Sequence, residues 1–393
     1  MTGGIEYKLW LDGNAVAAQF YPMIETITIE QGIDMATEAR IELEMCADEN
    51  GNWSGPTDPS AQTWKRVRIE VRNQTSDWIP LIDGPLVTWD ASMSGEPGQS
   101  TFTLVAHDDT ALLNVQAKIE TFEGQTDKDV VTTLFNNVGI TNLQLDTIPK
   151  QPDDRPLKHI KRSTEIEMLR SIAEPYDLHV YVKPDSVGKK SIGCVKRLRT
   201  SGDADVPALI LNGPDRNVET FQARNDVANA TRYQGEQLDI QNVTAAPKAV
   251  RSKWTNDDDG GPPIDATVSV VGPPVALLGD NVAIDSLDKL GTELLSPYAC
   301  AFRDVTELVA RMQQRSSYTI TATGSVRYGC YHGVLRAYDM VAVSGVNAKL
   351  CSKYIVREVT HTLSRSEYRQ DFTLMTNSTA KVSKAPGVPS GVL

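Results

Sequence analysis

The sequence has few cysteines, no long apolar run and none of the short motifs that carry familiar catalysis, and each lack excludes something. Its five cysteines, Cys46, Cys194, Cys300, Cys330 and Cys351, are scattered and never stand as C-x-x-C. That usage fits a reducing compartment and excludes a disulfide scaffold or a zinc ribbon. No apolar stretch approaches the ~20 residues of a membrane-spanning helix. The opening MTGGIEYKLWLDG has neither a basic n-region nor an apolar h-region, so synthesis and folding in the cytoplasm are expected, without membrane insertion. G-x-S-x-G, H-E-x-x-H, Walker and G-x-G-x-x-G patterns are missing as well.

Basic charge is also short. Against 51 acidic side chains stand 39 basic ones, a formal charge of -12. A surface that grips nucleic acid needs clustered Lys and Arg, so the acidic balance disfavours one and no sequence-specific nucleic acid binding is expected. An acidic balance keeps a protein soluble and suits a wall that nucleic acid must pass without sticking.

What is present is β-structure in more than one unit, because 393 residues exceed what a single core usually serves. Period-2 alternation predicts strands at Ile24–Glu30, Ala39–Met45, Val67–Val71, Leu81–Trp89 and Thr101–Ala106. Past Ala106 the pattern changes. Thr126 with Asp129 predicts a helix start, and Gly139 its stop; Thr164–Glu174 predicts a second helix, with Pro175 beyond it. Short strands follow at Leu178–Val182 and Ser191–Val195. Strands return at Ala208–Leu211, Asn217–Arg224 and Asn229–Gln237. A flexible loop is expected over Ala246–Ala266, then a helix at Asp304–Gln314 with Val305, Leu308, Val309 and Met312 on its apolar stripe. The last strands are Tyr318–Thr323, Met340–Val343, Tyr354–Thr362 and Asp371–Thr376.

The end of the chain echoes its beginning. Residues 66–106 run strand, Gly turn, polar turn, strand, and residues 338–376 run the same way, with Phe102-Thr103-Leu104 and Phe372-Thr373-Leu374 in like places. Two units of one design are the expectation. Three copies of such a chain present six quasi-equivalent units in a ring.

Ile79–Asn137 carries a resemblance to a known family. A strand with Gly84 leads to a second strand. Ala106, Asp108 and Leu113 form an Ala-x-Asp-x-x-x-x-Leu segment, and Phe122, Gly124 and Thr126 form an F-x-G-x-T link into a helix. This stretch resembles the phage late control D proteins and the hub part of the VgrG proteins of type VI secretion. Ser163–Val182 and the run from Asp304 to Gly345 are similar to that family too, so the likeness covers roughly residues 20–376.

The resemblance implies a β-rich α+β multidomain protein, with two tail-tube-like antiparallel β-barrels and inserted small α/β domains. The first barrel would span 1–113, a small α/β domain 114–205, and the second barrel 206–248 with 316–379. An insertion with loop and helix would take 249–315, and a flexible tail 380–393. It also implies a homotrimeric baseplate hub, made in the bacterial cytoplasm and built into a virion tail or an injection particle. Its partners would be a hexameric inner tail tube protein, a separate spike protein, and baseplate wedge and tape-measure proteins. The spike is expected to be separate because the sequence stops at Leu393, where many VgrG chains run on.

The residues name no catalytic, cofactor or metal site, and a non-enzymatic role is expected. Glycoside hydrolysis needs two carboxylates across a cleft. The adjacent Asp108 and Asp109 read instead as turn and cap residues. Cys330, His332 and Cys351 are weighed as soft metal ligands on neighbouring strands, with a buried Cys and an edge His as the commoner arrangement. Asp257-Asp258-Asp259 lacks the spacing and distal Glu of a calcium loop. The other histidines, His107, His159, His179 and His361, are spread along the chain. Trp53 and Trp254, in predicted loops, are candidate interface anchors. The alternatives of a hub-associated peptidoglycan hydrolase and a glycan- or receptor-binding module follow from no specific residue.

Overall fold

The computed structural model describes residues 6–47, 49–51, 53, 62–73, 77–96, 98–148, 158–188, 190–237, 248–255, 268–278, 282, 289–296, 304–327, 329–365 and 367–379. Asp257-Asp258-Asp259, Cys300 and the 380–393 tail lie outside these residues.

The N-terminal third is strands, as alternation requires: β1 (Glu6–Leu11), β2 (Asn14–Ala15), β3 (Ile24–Gly32), β4 (Glu38–Glu44), β5 (Arg66–Arg72), β6 (Ile79–Ser92) and β7 (Thr101–His107). Alternate residues on one face of β3 and β4, Ile27, Ile29, Ala39 and Ile41, are fully buried in one cluster with Leu9, Ile69 and Leu104.

A short helix α1 (Thr110–Leu113) opens the α/β part, followed by β8 (Lys118–Glu123), α2 (Asp127–Asn137), β9 (Asn142–Leu145), β10 (Lys158–Ser163), α3 (Glu165–Ala173), β11 (His179–Pro184) and β12 (Ser191–Lys196). Both longer helices begin with reciprocal caps. Thr126 accepts from the Asp129 N–H at 3.2 Å while the Asp129 carboxylate accepts from the Thr126 N–H at 3.0 Å. Thr164 and Glu167 repeat the arrangement. Each cap satisfies donors that a helix start leaves free. Val130, Leu134 and Phe135 of α2 pack with Ile166, Leu169 and Ile172 of α3 over β11 and β12.

The remainder comprises β13 (Leu209–Ile210), β14 (Val218–Asn225), β15 (Thr231–Gln237), β16 (Lys248–Ser252), β17 (Ser269–Val271), β18 (Gly291–Leu294), α4 (Val305–Ser316), β19 (Ile320–Val326), β20 (Met340–Ser344), β21 (Ser352–Ser364) and β22 (Tyr368–Thr376). The expected second barrel, 206–248 with 316–379, includes β15. That strand pairs instead with β16 and β18, in a small sheet covered by Val305, Leu308 and Val309 of α4.

The main sheet runs β14-β19-β22-β21-β3-β4-β7-β6-β5-β1-β2, with β20 also on β21 and β13 on β20. Among the described residues no sheet closes on itself, so the chain alone displays an open sheet and no barrel. Within it one five-stranded order occurs twice: β3-β4-β7-β6-β5 and β14-β19-β22-β21-β20. The irregularities coincide as well. β3 and β14 each shift register on their neighbour across one glutamate, Glu25 between Ile24 and Thr26, and Glu219 between Val218 and Thr220. β6 and β21 each shift across one residue, Val87 between Leu86 and Thr88, and Arg357 between Val356 and Glu358. These bulges align Ile24 with Val218 and Leu86 with Val356. A bulge bends and twists its strand, so two matched bulges give two units matched curvature.

Two glycines permit close approach. A Cβ on Gly84 would lie 2.0 Å from the His107 carbonyl oxygen, and one on Gly324 would lie 2.2 Å from the Thr220 carbonyl oxygen.

Candidate functional site

The adjacent carboxylates Asp108 and Asp109 each make several hydrogen bonds. Asp108 accepts from the Thr110 N–H at 2.9 Å and the Thr37 N–H at 2.7 Å, and full burial raises its pKa against those bonds. Asp109 takes both guanidinium nitrogens of Arg66, at 3.0 and 2.9 Å, and the Ser191 hydroxyl at 2.5 Å. Arg66 also donates to Asp83 at 2.6 Å. Arg68 donates to Asp83 at 2.6 Å, to Glu70 at 2.7 Å and to the Asp185 carbonyl at 2.8 Å. This buried network ties β5 and β6 to β12 and to the turn after β11. It holds the first five-stranded unit against the α/β part.

A second junction centres on Asp34, whose φ of 62° lies in the left-handed region. Its N–H donates to the Tyr338 hydroxyl at 2.9 Å and its carbonyl accepts from Arg170 at 3.0 Å. His179 Nδ1 lies 2.8 Å from its carboxylate. Burial pushes the Asp34 pKa up, but the His179 bond and the charges of His179, Arg315 and Arg170 outweigh it and hold the carboxyl below its ordinary value. Tyr338 stacks on Tyr181 with centroids 3.9 Å apart. First unit, α/β part and second unit therefore meet at one turn.

The other sequence candidates separate. Cys330 and His332 are exposed, and Cys351 is half-buried with its thiol 3.5 Å from the Val346 carbonyl. Among the described residues no three His, Cys, Asp or Glu side chains stand close enough together to hold a metal ion. His107 faces Glu38 at 3.1 Å, His159 faces Asp127 at 3.2 Å, and His361 lies buried 2.7 Å from the Tyr368 hydroxyl. Trp254 is not a surface anchor: it is 1% exposed and packs with Ala230 and Val282. Trp53 is partly buried against the first core.

Several large apolar side chains are exposed, among them Trp64, Ile119 and Leu294, and two of them share one strand end. Trp89 and Met93, at and just past the end of β6, are 45% and 57% exposed. The sequence places Trp89 at the end of a predicted strand, Leu81–Trp89, and does not mark it as exposed. From Thr88 to Ser92, β6 is exposed and pairs with β7 alone, while β14 ends the main sheet. These two strand edges form the candidate assembly surface. Unpaired N–H and C=O groups along an edge are ready to take another strand.

No known family model matches the chain, and no curated protein matches it in sequence. Solved structures do match it. The 43 kDa tail protein of prophage MuSo2 from Shewanella oneidensis aligns over 95% of this chain and 99% of its own, with a TM-score of 0.61 at 14% identity. A tail protein from Neisseria meningitidis MC58 aligns over 96% and 98%, again with a TM-score of 0.61 at 14% identity. A chain of the half-lidded Francisella PdpA–VgrG complex aligns over 98% of this chain and 60% of its own, with a TM-score of 0.56 at 10% identity. The fold is therefore that of phage tail and VgrG-type proteins, in agreement with the resemblance carried by Ile79–Asn137. No described helix is long and apolar enough to cross a membrane.

Proposed function

We propose that this chain is a structural, non-enzymatic baseplate hub of a phage tail or contractile injection system. It acts as a trimer that joins the hexameric inner tube to a separate trimeric spike and nucleates the tube. The observation that supports this most is the repeated five-stranded unit with its matched bulges. A chain carrying one unit twice turns a threefold set into six quasi-equivalent positions, the number a hexameric tube ring needs.

In this reading each unit is one tube-like segment, and the wall closes between chains. The α/β part, clamped to the first unit, and the α4 insertion are outward decorations that meet wedge and tape-measure proteins. The net charge of -12 gives the axial channel a polar, acidic wall. Gold labelling of this chain on purified particles tests the reading: label at the tip of the tube supports it, and label along the sheath, or none on particles, removes it.

A further inference from the structure

The chain is acidic, with a formal charge of -12, but one of its cavities is lined by four arginines. That cavity, of about 540 Å³, opens where the turn after β3, the α/β part, α4 and the second unit meet. Sites for small molecules occupy ~300–1,000 Å³, so the space is of ligand size.

Arg197, Arg311, Arg315 and Arg357 line it together with Asp34 and Asp177. Arg311 pairs with Glu307, and Arg357 lies 3.4 Å from Glu358. Among the described residues no carboxylate comes within ion-pair distance of Arg197 or Arg315. Arg197 donates through Nε to the Tyr176 carbonyl at 3.2 Å, and the Arg311 guanidinium lies over the Tyr176 ring, so the two charges stand side by side. Burial and the charge of Arg197 hold the Arg311 pKa below its ordinary value, against Glu307 and Asp177. Asp177 feels Arg197, Arg311 and Arg315 together, but burial outweighs them and raises its pKa towards the neutral acid.

The rest of the lining is of two kinds. Ile33, Leu198 and Met375 supply an apolar floor. The Tyr318 hydroxyl, on the same wall beside Gln314, has no partner at hydrogen-bond distance. The Gln314 amide is taken up by the N–H and the carbonyl of Val275. Burial pushes the Tyr318 pKa up to about 12, so its hydroxyl stays a donor.

We propose that this cavity binds a phosphate monoester, with the phosphate held by Arg197, Arg311 and Arg315, the Tyr318 hydroxyl donating to it, and the organic group on the apolar floor. Arginine's planar fork matches phosphate oxygens. A monoester carries about -1.5 to -2 at pH 7, the charge that two unpaired guanidiniums offset, whereas a carboxylate carries one. The site is read from this junction alone and stands or falls apart from the hub reading.

Calorimetric titration of the full chain with phenyl phosphate tests it, beside inorganic phosphate, benzoate and phenol. The expected result is one phenyl phosphate per chain, bound at least tenfold more tightly than inorganic phosphate or benzoate, and no heat from phenol. Arg315→Gln, at an exposed position with no ion pair to lose, weakens binding at least tenfold, and Tyr318→Phe weakens it several-fold. Asp177→Asn tightens it several-fold, because it removes a competing negative charge and asparagine tolerates the left-handed backbone at this position. Arg224→Gln, exposed and outside the cavity, leaves it unchanged. No binding of phenyl phosphate at ~10 mM overturns the site. So does binding that Arg315→Gln and Asp177→Asn both leave unchanged, or that Arg224→Gln weakens as much as Arg315→Gln does. Inorganic phosphate or benzoate bound as tightly as phenyl phosphate overturns the monoester.

Discussion

Arg68 reaches Asp83 across 2.6 Å with side chains only 4% and 2% exposed, so one ion pair is sealed between the first five-stranded unit and the α/β part. Removing Arg68 leaves Asp83 to Arg66 alone and takes from the buried Glu70 the guanidinium that lies 2.7 Å from it. Arg68→Met is expected to cost about 3–5 kcal/mol. Urea denaturation of the variant measures the loss, and a midpoint within error of the parent's contradicts the clamp.

Gly84 passes so close to the His107 carbonyl that no side chain fits. Gly84→Ala forces β6 away from the end of β7, at a cost of about 1–3 kcal/mol or more. Its melting temperature should fall several degrees below that of an alanine substitution at Gly95, which has nothing within 4 Å. Equal melting temperatures would show that the backbone relaxes freely.

His361 is fully buried, and burial lowers its pKa from 6.5 to about 3. The folded state holds it neutral while the unfolded chain binds a proton below pH 6.5. Its contribution to stability is therefore complete above pH 6.5 and lost as pH falls towards about 3, at ~1.4 kcal/mol per pH unit. His361→Gln, neutral throughout, should flatten the stability profile by that slope relative to the parent. Parallel profiles would mean that His361 titrates normally in the fold.

Thr126 caps α2 through its side chain. Thr126→Ala is expected to lose about 1 kcal/mol, read as faster amide exchange in the first turn of α2. Unchanged exchange there would leave the cap without energetic weight.

What was legible in the sequence was local. Alternation located β3, β4 and β7, and the T-x-x-D and T-x-x-E spacings located both capping boxes, since each device involves residues within one or two turns. The repeat was legible as an order of elements and misread in register. Phe372 faces Gly324 while Leu104 faces Ile41, so the bulge alignment sets Phe372 at the place of Leu104, not of Phe102. The closer echo is Ile24-Glu25-Thr26 with Val218-Glu219-Thr220, whose bulged glutamates become visible only once pairing is known. Arg68 and Glu70 alternate like solvent-facing residues, but the α/β part covers that face too. The Trp89 edge was hidden for a related reason: exposure depends on which strand is present alongside, and β3 arrives at β21 from more than three hundred residues away.

The account's central claim is that three chains, each carrying one unit twice, form a ring of six. A reconstruction of purified particles that resolves strands at the tube tip measures this directly. The expected density is a ring of three copies whose six five-stranded units are the first and second unit in alternation, joined by β21 to β3 within each chain. A ring of six copies, or units related by no approximate sixfold axis, contradicts it.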